Sequence, residues 1–265
     1  LRLQSIQEAG MLIQEADQAK IKELFEKNLV DDVKLVMATH HKSELILPNK
    51  AVCDLCTETE QLVTEVAELS DKISAEIIDF EQDEQKALDQ GLDKIPGIAI
   101  MGKKDYGVRT YGMPLQLEFT SFIEDIIDVS KGTTDLKDET KQRLAALDKD
   151  IHLQVFVTPQ CPYCPRVVRM AHKMAIESDH IKADMVESME FIALSQKYDV
   201  MGVPRTIVND GQGFEGALPE PLFLLFTLKE AGMLDKEEQE VYDKVQEELK
   251  KQHEQTHAQH HEHDH

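Results

Sequence analysis

Apolar and polar positions change their period along this chain in an order that occurs twice. Residues 13–28, IQEADQAKIKELFEKN, space their apolar side chains as an amphipathic helix does. DDVKLVMAT, residues 31–39, then turns apolar and β-branched, which predicts a strand. After a cysteine pair come a helical pattern, the strand ISAEIIDF (73–80), a second helix, and an Ile95-Pro96 step into the strand GIAIMG (97–102). A turn, a strand ending at Gly112 and an apolar helix close the series. From residue 135 the series starts again. DLKDETKQRLAALDK reads as helix, IHLQVFVT as strand, and a second cysteine pair follows. The strand IKADMVES, a helix, the Val203-Pro204 step, the strand RTIVND, a strand ending at Gly216 and a last apolar helix complete it. The pattern predicts an α/β chain built from two copies of one αβαβαββα unit. The break falls in SKGTTD, residues 130–135, where Gly and Thr interrupt the helical period.

The cysteines occupy the same place in both copies. All four lie in C-x-x-C pairs, Cys53/Cys56 and Cys161/Cys164, and from each first cysteine to its proline, Pro96 or Pro204, is 43 residues. A chain of 265 residues with 41% hydrophobic content supports a core without disulfide staples, so this spacing points to thiol chemistry or metal. A zinc ribbon keeps its pairs roughly 15–20 residues apart. Here a complete unit separates them, which favours redox chemistry. A C-x-x-C between strand and helix places its first cysteine at a helix N-terminus, where free N–H groups and the helix dipole stabilise a thiolate. The second cysteine, three residues on, can resolve a mixed disulfide. Pro162 suits a first helical turn because its missing N–H would have no intrahelical partner.

Composition narrows the field. A net charge of −22 opposes nonspecific binding to nucleic acid or to an anionic membrane surface. No apolar run approaches the length of a membrane helix. The chain opens on Leu1, which leaves a removed leader open, while its first 28 residues read as amphipathic helix. No G-x-G-x-x-G fingerprint is present, so electrons must come from an external donor.

The order β, C-x-x-C, α, β, α, x-Pro, β, β, α resembles the thioredoxin fold, and CPYC, residues 161–164, is a glutaredoxin-type tetrapeptide. Two such units, with the phrases KDYGVRTYGMPLQLEFTSFI and QVFVTPQCPYCP, resemble the protein disulfide oxidoreductase family of tandem thioredoxin folds. The resemblance implies two units, each a central mixed sheet flanked by helices: 1–132 around Cys53/Cys56, 133–234 around Cys161/Cys164, and a charged helix with a His-rich tail over 235–265. It implies Cys161 as attacking and Cys164 as resolving thiol, with Cys53 and Cys56 the matching pair. It implies cis bonds before Pro204 and Pro96, with Val203 and Ile95 offering backbone to an extended substrate, and Pro162 and Tyr163 beside it. Disulfide-bearing proteins would be the substrates, a thioredoxin-reductase-like protein the donor, and the cytoplasm the location, with no cofactor required.

The two pairs sit in different charge. Arg166, Arg169 and Lys173 follow Cys161, whereas Asp54, Glu58 and Glu60 surround Cys56, so Cys161 is expected to be the more reactive thiol. The segment HHKSELILPNKAV, residues 40–52, is inserted before Cys53 and has no counterpart before Cys161. The strand before Cys161 carries no acid to serve the resolving thiol, and Met201 reads as core filler. In the tail, Val241, Val245 and Leu249 predict an apolar stripe, and His253, His257 and His261 would share a helical face able to hold a divalent metal. Two other roles stay open: an electron relay, as in the tandem-thioredoxin domain of alkyl hydroperoxide reductase, and a metal-handling protein using the thiols and the tail.

Overall fold

The computed structural model describes residues 11–40 and 53–261, with side chains as far as residue 248. The first unit runs α1 (Glu15–Asn28), β1 (Val33–Thr39), α2 (Cys56–Ala67), β2 (Ile73–Asp79), α3 (Glu84–Asp89), β3 (Gly97–Met101), β4 (Asp105–Tyr111) and α4 (Leu117–Lys131). The second repeats it as α5 (Asp138–Ala145), β5 (Ile151–Val157), α6 (Cys164–Glu177), β6 (Ile181–Glu187), α7 (Ile192–Lys197), β7 (Arg205–Val208), β8 (Gly213–Glu215) and α8 (Glu220–Glu230), with α9 (Lys236–His261) added. Between the units, α4 stops because Gly132 takes a left-handed conformation at φ +66°, and a Cβ there would lie 2.4 Å from the Tyr106 hydroxyl.

The central sheets of the two units join. All eight strands form a continuous sheet in the order β2-β1-β3-β4-β6-β5-β7-β8. The seam is β4 against β6, parallel, with Val108 opposite Ala183 and Tyr111 opposite Val186. Both strands are buried along nearly their whole length, which suits a sheet covered by helices on both faces, although Arg109, Thr110, Asp184 and Glu187 are polar. Because the pairing is parallel, the two strands end at the same edge. The loop after β6 in the second unit therefore lies beside Gly112 and Met113 in the first.

The helices pack by ordinary amphipathic spacing. On α6, Val167, Ala171, Met174 and Ala175 are buried, the stripe that a helix facing a core presents. Its other contact is charged. Asp125 of α4, fully enclosed, accepts from Arg169 and lies 2.7 Å from His172 Nδ1, while His172 Nε2 lies 3.2 Å from the carbonyl oxygen of Arg109 on β4. Burial disfavours ionisation of Asp125, but His172 and Arg169 outweigh it and hold the carboxyl below its usual range. One ionic cluster thus ties α4, α6 and β4 together.

At the C-terminus the apolar seam differs from the sequence expectation. Tyr242 and Val245 pack on the core, with Tyr242 against Phe226 at 5.1 Å between ring centroids, whereas Val241 is exposed. A helix turns 100° per residue, so Val241 lies about 100° from Tyr242 and falls at the edge of the face that Tyr242 and Val245 set. Met201 is 85% exposed, and so is no core filler.

Candidate active site

Each C-x-x-C closes a disulfide, Cys53–Cys56 and Cys161–Cys164, with Cα atoms 5.5 Å apart in both. Strands β1 and β5 deliver the pairs to the same edge of the sheet, and helices α2 and α6 begin at the second cysteine of each. Pro162 therefore lies in the turn ahead of the helix, and Pro165 occupies the first helical turn instead. The thiolate support survives this shift, because the N–H of Cys164 points at Cys161 Sγ from 3.1 Å. Within each pair the two residues are unequally enclosed. Cys161 retains 8% exposure and Cys164 none; Cys53 retains 9% and Cys56 1%. The first cysteine of each pair is the less enclosed of the two.

The peptide bonds Ile95–Pro96 and Val203–Pro204 are cis. The carbonyls of Pro96 and Pro204 accept from the N–H groups of Gly112 and Gly216, the same bond in both units. Cys161 Sγ lies 3.8 Å from the Val203 carbonyl oxygen, and Cys53 shares a cavity wall with Ile95 and Pro96. The structure thus brings Cys161 to Val203, and Cys53 to Ile95 and Pro96. Tyr163, 65% exposed, stands outside, and Pro162 lines a separate cavity of about 610 Å³ with Arg166, Pro165 and Leu117.

The charge around the pairs differs from the expectation. Arg169 is spent on Glu124, Asp125 and Asp128, and Lys173 on Asp135. Arg166 alone of the three remains without such a role among the described contacts, so the second centre is less basic than its sequence reads. The first centre is more acidic than its sequence reads. Its cavity holds Asp54 and, from the second unit, Glu187 and Glu190. Burial pushes the Glu190 carboxyl up to about 7, with Glu187 and Asp54 adding to the rise, and burial also raises Glu187. His40 lies 3.7 Å from Glu81, on the loop after β2. His41 and the rest of the 40–52 insertion lie outside the described residues.

A further acid escapes the sequence reading. Glu118 on α4 is buried with neither carboxylate oxygen hydrogen-bonded among the described residues, and burial pushes it up to about 8. Its helix packs on α6, and its neighbour Leu117 lines the cavity that holds Pro162. The signal lies in LEFTSFIED, where Glu118 and Asp125 interrupt an apolar helical face at i and i+7. Among the described residues no group of three or more His, Cys, Asp or Glu side chains is arranged to hold a metal. Positions 253, 257 and 261 fall within α9, but their side chains lie outside the described residues.

A partly enclosed and a fully enclosed cysteine at the mouth of a helix, beside a cis-proline, on this strand order, define a thioredoxin-like fold. Two such centres give the chain the geometry that thiol–disulfide exchange requires. Residues 151–229 match the model of the thioredoxin domain. A solved protein disulfide oxidoreductase from Aeropyrum pernix superposes with a TM-score of 0.73 at 26% identity, covering 84% of this chain and 96% of that one. The N-terminal domain of the alkylhydroperoxide reductase AhpF from Enterococcus faecalis superposes at 0.70 with 23% identity, over 80% and 97%, a likeness of fold. In sequence, a chain of alkyl hydroperoxide reductase from Staphylococcus aureus is 24% identical over 157 residues, 59% of this chain and 28% of that protein. The NADH dehydrogenase of Bacillus subtilis is 26% identical over 155 residues, 58% and 28%. The chain therefore spans under a third of the length of these curated relatives.

Proposed function

We propose that this protein reduces disulfides in other proteins and that the Cys161–Cys164 centre carries most of the turnover. The observation that carries the reading is the Cys161 sulfur, held by the Cys164 N–H and lying beside the Val203 carbonyl, on the less enclosed residue of the pair, with a fully buried partner three residues on. The Cys161 thiolate attacks one substrate sulfur, forming a mixed disulfide and expelling the other as a thiolate that takes up a proton. Cys164 loses its proton and attacks Cys161 Sγ, which releases the second substrate thiol and leaves the protein oxidised. Two electrons and two protons from an external dithiol, in the cell a thioredoxin-reductase-like donor, reset it. Val203 and Ile95 offer backbone to the extended substrate, with Pro204 and Pro96 shaping the same wall.

In this reading no bound cofactor takes part, the location is the cytoplasm, and the partners are disulfide-bearing proteins, neither nucleic acid nor membrane. No helix among the described residues is long and apolar enough to cross a membrane. The His253, His257 and His261 tail adds a divalent-metal site apart from catalysis. A second role, passing electrons to a peroxidase, is favoured by the relatives named for alkyl hydroperoxide reductase.

Dithiothreitol-driven reduction of insulin tests the proposal. Wild-type protein is expected to accelerate it, and Cys53→Ser/Cys56→Ser to keep at least about half of that rate, a barrier change of about 0.4 kcal/mol or less. No acceleration by wild type would remove the proposal, and loss of the rate in the Cys53→Ser/Cys56→Ser protein would move the activity to the first centre.

A further inference from the structure

The cavity beside Cys53 is built by both units. It encloses about 580 Å³ between Cys53 and Asp54 of the first unit and Glu187, Met189 and Glu190 of the second. Glu187 retains 4% exposure, and while its Oε2 accepts from the Glu190 N–H at 2.6 Å, its Oε1 has no hydrogen-bond partner among the described residues. A buried carboxylate oxygen without a donor is costly, and a ligand cation entering this cavity would satisfy it. Glu190 is anchored from the first unit, accepting from Met113 N–H at 2.7 Å. The approach is so close that a Cβ on Gly112, whose φ is +95°, would lie 2.6 Å from Glu187 Cβ and 2.8 Å from Glu190 Oε1. The rest of the wall is mostly apolar, with Leu55, Ile95, Pro96, Leu115, Pro159 and Ile192, and is polar at Thr158 and Gln160, in the loop that leads to Cys161.

We propose that this cavity binds the Lys or Arg side chain of a disulfide-bearing peptide, its aliphatic stem on the apolar wall and its cationic head on Glu187, Glu190 and Asp54. The inference rests on the reading of the chain as a disulfide reductase and names the substrate class of the first centre. The bound cation also acts on the chemistry. Carboxylates in this cavity oppose the Cys53 thiolate, and a substrate that neutralises them removes that opposition at the moment it arrives. The first centre becomes selective, whereas the cavity at Pro162 beside the second centre sets Glu124, Asp135 and Glu220 against Arg166, Arg169 and Lys173 and so presents no net acidic wall.

The test uses the Cys161→Ser/Cys164→Ser protein, reduced by dithiothreitol at pH 8, where Glu190, pushed up to about 7, is ionised. Three disulfide peptides differ only in Lys, Gln or Glu beside the cysteine. The Lys peptide is expected to be reduced at least about tenfold faster than the Glu peptide, as expected for a charge-assisted hydrogen bond. Asp54→Lys, an exposed position, should shrink that ratio severalfold. Equal rates for the three peptides, or a ratio that Asp54→Lys leaves intact, would overturn the inference. So would the same ratio at the second centre, measured in Cys53→Ser/Cys56→Ser, because it would trace to the overall charge of −22. If the first centre turns over no peptide, thioether versions of the Lys and Glu peptides are titrated by fluorescence anisotropy. Tighter binding of the Lys form then supports the site and removes only its turnover, and equal binding overturns the site.

Discussion

Replacing Cys161 with serine is expected to lower dithiothreitol-driven insulin reduction by at least about tenfold, a barrier increase of about 1.4 kcal/mol or more. The effect follows from which atom can attack. A serine hydroxyl stays protonated at neutral pH, whereas a thiol near a helix N-terminus ionises, and here the Cys164 N–H is already directed at the sulfur. Cys164 cannot take over, because it is fully buried. The Cys53 centre supplies the residual rate, and its electrostatics keep that rate low for a substrate that brings no cation. One ionised carboxylate about 8 Å from a thiolate costs roughly 2 kcal/mol at an effective dielectric near 20, more than one pKa unit. Asp54, Glu187 and Glu190 all line the cavity at Cys53. Comparing initial rates at pH 7 checks this, and a Cys161→Ser protein as fast as wild type would contradict it.

Asp125→Ala is expected to destabilise the protein by about 3–5 kcal/mol, the cost of removing one member of a buried ionic cluster. The loss exceeds that of a surface ion pair because the remaining charges are trapped. Arg169 keeps Asp128 and Glu124, but His172, fully enclosed, loses its only carboxylate partner among the described contacts and is left with the Arg109 carbonyl. The pH dependence has a definite sign. The folded-state pKa of Asp125 is depressed, so its contribution is complete above the unfolded value of about 3.9 and disappears as pH falls through the lower folded value. Urea midpoints should therefore differ widely at pH 7, and the gap should narrow below about pH 4. A gap that widened toward acid would assign the stability to other groups.

Much of this protein can be read directly from its residues. Period changes locate both repeats, since strands such as IHLQVFVT and helices such as α6 bury faces that simple spacing reveals. Equal distances from cysteine pair to proline mark the two centres. What spacing could not show is the joining of the repeats. The parallel pairing of β4 with β6 depends on edge complementarity between segments about 75 residues apart, and it alone carries Glu187 and Glu190 to Cys53. Arg169 and Lys173 mislead for the same reason. Their position on α6 is plain, but the acids that neutralise them lie on α4 and in the segment before α5. Met201 and Val241 show the limit of residue type as a guide to burial, because an apolar side chain on the surface is common.

The central claim is that Cys161 is the thiol that meets the substrate disulfide. Its most direct test is Cys164→Ser, which removes the resolving thiol and leaves the attacking one in place. Reduced Cys164→Ser protein, incubated with a disulfide peptide without added dithiol and digested under non-reducing conditions, should carry the peptide on Cys161 in a stable mixed disulfide seen by mass spectrometry. An adduct confined to Cys53, or none on Cys161, would contradict the account.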